Sequence, residues 1–127
     1  MPSVRHFLVA AAALALAAAT ATVAAPKPIY KVDSVSAKTV GRNLVVTASG
    51  AVNSGGWTSA HLRLSESHKV ESDTEVIEFL ATPPPAGAVV VQTLLPVSAT
   101  ATLALPPYGV VQVKVVAETN SVTAPIR

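Results

Sequence analysis

The stretch Leu44-Val45-Val46-Thr47-Ala48-Ser49-Gly50-Ala51-Val52 decides the fold class. Leu44, Val46, Ala48, Gly50 and Val52 alternate with Val45, Thr47, Ser49 and Ala51, and a period of two over this length describes a strand with one face buried. Gly41-Arg42-Asn43 ahead of it supplies a turn, so residues 30–39 are the preceding strand and the pair forms a hairpin. In that first strand Ile29, Val32 and Val35 fall off strict alternation, as a bulge or an edge position requires.

Working outward, Asn53-Ser54-Gly55-Gly56 is a strong turn and residues 57–65 read as a third strand. The polar run 66–75 reads as a loop or ragged edge, followed by a fourth strand over 76–81. Thr82-Pro83-Pro84-Pro85-Ala86-Gly87 cannot lie inside a sheet, because its prolines lack backbone donors, and it reads as a stiff turn rather than a polyproline ligand. Residues 88–105 are expected to give two short strands split at Pro96, with Val97, Ala99, Ala101 and Leu103 alternating against Ser98, Thr100 and Thr102. Residues 111–117 alternate again, and 121–126 add a terminal edge strand.

About seven strands with regular turn signals predict an all-β immunoglobulin-like or fibronectin-like β-sandwich, with a small open β-barrel as the alternative. Val46, Ala48, Leu62, Val111, Val113 and Val115 are the expected core, and Thr47, Gln112 and Lys114 are expected to be exposed.

Residues 1–24 read as a cleaved signal peptide and 25–127 as a single β-sandwich domain. Arg5 supplies the early charge, residues 7–19 are an unbroken apolar run, and small residues follow. Cleavage after Ala25 is disfavoured by Pro26; Thr22-Val23-Ala24 and Ala19-Thr20-Ala21 both offer small residues at the required places, and the cut after Ala24 is preferred. An uncleaved anchor is the rival, but the run is mostly alanine, which drives insertion weakly, so no stable membrane insertion is expected after cleavage. Destination is therefore export, to the periplasm or the medium.

Without Arg5, eight Lys and Arg face seven Asp and Glu, too even a balance for a nucleic-acid surface. The chain has no cysteine, which removes disulfides, thiol chemistry, a lipid anchor on cysteine and Cys-based zinc sites.

Gly41-Arg42-Asn43-Leu44-Val45-Val46-Thr47-Ala48-Ser49-Gly50, Gly55-Gly56-Trp57-Thr58 and Thr119-Asn120-Ser121-Val122 together resemble a group of short exported bacterial proteins of unknown function. The resemblance covers most of the mature chain and rests on hydrophobic, fold-like motifs. It implies a bacterial source and a periplasmic or secreted location, and it carries no activity and no functional residue.

Candidate site residues centre on Trp57. Unbroken alternation sets Trp57, Ser59, His61 and Arg63 opposite Ala60, Leu62 and Leu64, on one exposed stripe where an indole, an imidazole and a guanidinium suit a sugar or a peptide. The competing reading uses Gly55 and Gly56 as a bulge that rotates Trp57 inward, as the core tryptophan of an immunoglobulin-like strand. His61, Glu66, His68, Glu71, Asp73, Glu75 and Glu78 are the sole cluster of potential metal ligands, but the two histidines have opposite parity and the acids are spaced as in a solvated segment, so no metal and no cofactor are expected. Ser65, Ser67, His68 and Asp73 lack a Gly-x-Ser-x-Gly elbow, so no catalytic residue is assigned. The expectation is an exported non-enzymatic binding module for a protein, peptide or glycan, with an envelope-associated accessory role as the alternative and a hydrolase or metal-dependent enzyme behind both.

Overall fold

The computed structural model describes residues 25–65, 73–105 and 109–127. The proposed signal peptide, Pro106, Pro107, Tyr108 and the segment containing Glu66, Ser67, His68 and Glu71 lie outside them. The described residues form eight strands: β1 (Lys27–Pro28), β2 (Lys31–Val40), β3 (Asn43–Val52), β4 (Thr58–Leu64), β5 (Thr74–Thr82), β6 (Leu95–Ala104), β7 (Gln112–Val116) and β8 (Ser121–Pro125). They build two sheets, β2-β3-β6 and a five-stranded sheet in which β5 pairs with β4, β1 and β7, and β7 pairs with β8. The architecture is a β-sandwich, not a closed barrel.

The β2–β3 hairpin forms where the sequence places it. Val40 pairs with Asn43 across Gly41 and Arg42, and Gly41 has φ +61°, the first central position of a tight hairpin turn, which glycine enters without the Cβ clash. The register shift between Val32 and Ser34 is the bulge implied by Ile29, Val32 and Val35.

Leu44, Val46, Ala48 and Val52 of β3 face Ile77, Phe79 and Ala81 of β5 and Val113 and Val115 of β7 in one core. With no cysteine in the chain, this apolar burial is the main stabilising term.

Three expectations are corrected. Pro96 does not divide residues 88–105 into two strands: 88–94 are irregular, and β6 runs unbroken through Pro96, which pairs with Ala51. β6 is the outer strand of its sheet, the position at which a residue without an N–H is tolerated. Val111 is exposed rather than buried, since β7 begins one residue later. Gln112 and Lys114 are half-buried, because β7 lies between β5 and β8 and its outward side chains have neighbours on both sides; the Gln112 amide donates to Thr74 Oγ1 at 2.7 Å.

One tie between the sheets has no signal in the alternation. The amide of Asn120, in the β7–β8 turn, accepts from the Val32 N–H and donates to the Val32 carbonyl, both at 2.8 Å. Thr119 adds its own N–H and hydroxyl to the Tyr30 carbonyl, and Glu118 N–H donates to the Ile29 carbonyl. The turn thus satisfies backbone groups of the chain entering β2 just where the bulge breaks the ladder. Asn120→Ala removes both partners of Val32 and is expected to cost about 1–3 kcal/mol, read as a lower urea midpoint at unchanged slope. An unchanged midpoint would mean that water replaces the amide at no cost.

Candidate functional site

The stripe expected on the third strand is split by a bulge. Thr58 pairs with Thr82 and His61 with Leu80, so Ser59 and Ala60 together oppose one residue of β5. Ser59 takes φ +56°, an uncommon conformation for a residue with a Cβ. The one-residue rotation foreseen at Gly55-Gly56 therefore occurs at Ser59-Ala60, and it reverses the parity of everything before it. Trp57 lies half-buried against the core cluster, on the same side as Ala60 and Leu64. Its indole N–H donates to Ser54 Oγ at 3.1 Å, and Ser54 is itself buried.

Ser59, His61 and Arg63 remain outside that core. His61 Nδ1 donates to the Ser59 carbonyl at 2.7 Å, closing a local loop over the bulge. Arg63 is directly opposite Glu78, and their side chains form an ion pair at 3.2 Å. The arrangement holds a cation and an imidazole on one face but takes the aromatic platform away from them.

As the sole tryptophan, Trp57 reports its own environment. Its emission is expected to be blue-shifted from that of free tryptophan and to move red on unfolding, and Ser54→Ala is expected to cost about 1 kcal/mol by orphaning the indole N–H. Emission already at the solvent-exposed position in the folded protein would contradict the inward placement.

Of the potential metal ligands, Glu66, His68 and Glu71 lie outside the described residues. Glu78 faces Arg63, Glu75 is buried at the start of β5, and Asp73 accepts from the Thr74 hydroxyl at 3.4 Å. Among the described residues no group of three His, Cys, Asp or Glu converges. Of the serines weighed for hydrolysis, Ser65 follows β4 and its N–H donates to the Val76 carbonyl, so it continues the β4–β5 ladder.

A concavity that the sequence did not reveal lies where β8 meets β2. Ala37 and Ile126 form a parallel bridge, Arg127 N–H donates to the Ala37 carbonyl at 3.0 Å, and Thr39 N–H donates to the Arg127 carbonyl at 2.9 Å. This seam borders a cleft of about 360 Å³. Val35, Val45, Ala124 and Pro125 give it apolar walls, Ser36 and Thr47 supply hydroxyls, and Lys38 and Arg127 place two cations on its lining. No carboxylate side chain lines it among the described residues. Lys38 and Arg127 come from distant parts of the chain, so no local motif could announce their meeting.

Comparison with protein-family models, with curated proteins and with solved structures finds no match to this chain.

Proposed function

We propose that the protein is an exported, non-catalytic binding module that takes a protein, peptide or glycan ligand bearing an acidic group. The observation that carries the reading is the β2–β8 cleft, where the Lys38 and Arg127 side chains line a concavity with apolar walls and hydroxyl donors and no carboxylate side chain among its described lining. Its volume falls in the range of small-ligand clefts, about 300–1,000 Å³, and the two cations favour a carboxylate or sulfate over a neutral group. Residues 1–24 account for export, as a charged start followed by an apolar run and small residues. Ser59, His61 and Arg63 are a secondary candidate contact face, with Trp57 contributing through its half-buried position rather than as an open stacking surface.

The test is an immobilised array of acidic and neutral peptides and glycans, probed with wild-type protein and with the Lys38→Glu, Arg127→Glu double variant. Retention on acidic members that the double variant loses supports the reading. Equal retention of both proteins, or none on any acidic member, sinks it.

A structural accessory role is the second reading, and the observation favouring it is the packing of Trp57 against the core, which removes an aromatic platform from the surface. Under that reading the double variant behaves as wild type throughout.

A further inference from the structure

We propose that the β2–β8 cleft takes the uronic acid of a glycan, whose carboxylate meets Lys38 and Arg127 while the adjoining neutral sugar lies across the outer face of the β2-β3-β6 sheet. The proposal rests on the reading of that cleft as a site for acidic ligands and narrows its ligand to one chemical class. Ser36, Lys38, Val45 and Thr47, which line the cleft, all belong to the outer face: Ser36 is directly opposite Thr47 and Lys38 opposite Val45, on the side of β3 away from the buried Leu44, Val46 and Ala48. The face continues beyond the cleft, since Thr47 and Val45 are in turn opposite Thr100 and Thr102 of β6, both exposed.

Strand register arranges this face in rows. Ser36, Thr47 and Thr100 make one row and Ser34, Ser49 and Ser98 the next, while Lys38, Val45 and Thr102 form the row that starts at the cations. Hydroxyls therefore recur about every 4.8 Å across the strands and about every 6.8 Å along them, and a row spans about 10 Å from β2 to β6. Within these rows only Lys38 is charged and only Val45 is apolar. Ser34 is hydrogen-bonded to Ser49, and Thr47 to Thr100 at 3.3 Å. A hydroxyl both donates and accepts, so each joined pair keeps a free O–H and spare lone pairs while its partner holds it in place. A surface of groups that donate and accept matches a ligand whose own groups do the same. Val45, between Lys38 and Thr102, offers an apolar contact to the C–H face of a sugar ring.

Other acidic ligands fit less of this surface. A peptide adding to the β2 edge would compete with the protein itself, because Arg127 already bonds the Ala37 carbonyl and the Thr39 N–H, and Asn120 bonds both backbone groups of Val32. Apolar peptide side chains reaching past the cleft would meet hydroxyls. A heavily sulfated glycan replaces hydroxyls by charges, and the rows hold no cation beyond Lys38. A uronic acid keeps its ring hydroxyls and carries its one carboxylate where the guanidinium of Arg127 and the ammonium of Lys38 can meet it.

The experiment is an NMR titration of protein purified from cells expressing the full 127-residue chain. The probes are cellobiouronic acid, its neutral analogue cellobiose, and a capped glycyl-glutamyl-glycine peptide of the same charge. Wild type is expected to bind cellobiouronic acid about tenfold or more tightly than either control. The Thr100→Val, Thr102→Val pair removes two hydroxyls outside the cleft lining; both positions are exposed and valine keeps the β-branched shape, so the thermal midpoint is expected to hold. It is expected to weaken the acidic disaccharide at least about fivefold and leave the peptide unchanged, while Thr100→Ser, Thr102→Ser binds as wild type. Peptide or cellobiose bound as tightly as cellobiouronic acid, or an acidic disaccharide indifferent to the valine pair, overturns the uronic-acid assignment. Where the two acidic probes bind equally and both are lost in Lys38→Glu, Arg127→Glu, the acidic-ligand reading survives alone. Binding of neither acidic probe, or binding of both that ignores that double variant, overturns the two together. The ranking of the three probes on wild type stands whatever the stability of the variants.

Discussion

Gly50→Ala is expected to lower stability by about 3 kcal/mol or more, at the upper end of what overpacking costs. A Cβ built on Gly50 falls 2.1 Å from the Lys31 carbonyl oxygen, 2.9 Å from Val32 Cα and 3.0 Å from Ile29 Cδ1. Two of those atoms belong to backbone, which cannot swing aside as a side-chain tip can. Lys31 and Val32 are held there by pairing with Ala51 and Gly50, and Val32 additionally by the Asn120 amide. Relief therefore requires opening the β2–β3 ladder at its bulge or releasing the β7–β8 turn. Gly109→Ala is the matched control, since among the described residues its Cβ would meet nothing within 4 Å. Chemical denaturation of the two variants side by side checks the expectation, and similar midpoints for both would show that β2 gives way freely.

Phe79→Ala is expected to cost about 3–5 kcal/mol, the range for removing a buried aromatic ring. Phe79 is the largest fully buried side chain among the described residues and sits on β5, the strand with most partners. It pairs with Leu62 and packs in the cluster that contains Val46 and Val113, so the void would open between the sheets and not at a rim. A domain of this size holds about 5–15 kcal/mol in total, and no disulfide supplements it. The variant should therefore unfold at a much lower denaturant concentration and show early loss of the Trp57 signal. Loss of less than about 1 kcal/mol would show that the neighbours collapse into the space.

Much of the fold was legible because period two was visible wherever one face is buried. β3, β7 and β8 lie within a residue or two of their expected ranges, and the inner row of β6 is the one its alternation predicted. β1 escaped notice because a two-residue strand has no period. The unbroken course of β6 through Pro96 depends on its being an outer strand, which is a property of the assembled sheet. Trp57 shows the limit most clearly: a bulge was foreseen and the inward turn with it, yet glycines drew attention to 55–56 while the shift occurs at a serine with positive φ. The β2–β8 cleft and the Asn120 clamp depend on residues far apart in sequence, and a single chain read along its length has no periodicity for either.

The order of strands also sets how the chain must assemble. β5 and β7 are parallel neighbours, and the chain between them leaves their sheet, forms β6 on the opposing one and returns. The five-stranded sheet is therefore completed by a chain that has first crossed to the opposing sheet and returned. The β2–β3 and β7–β8 hairpins close through short local turns; the β3–β6 and β5–β7 pairings both wait on long loop closures. Refolding belongs in the millisecond-to-second class of non-local β topologies, which stopped-flow Trp57 fluorescence can time. Until β6 docks, an uncharged strand and the β3 edge that it will cover stand open to solvent, so the interval before that step is when a crowded solution of this protein is most exposed to misassociation.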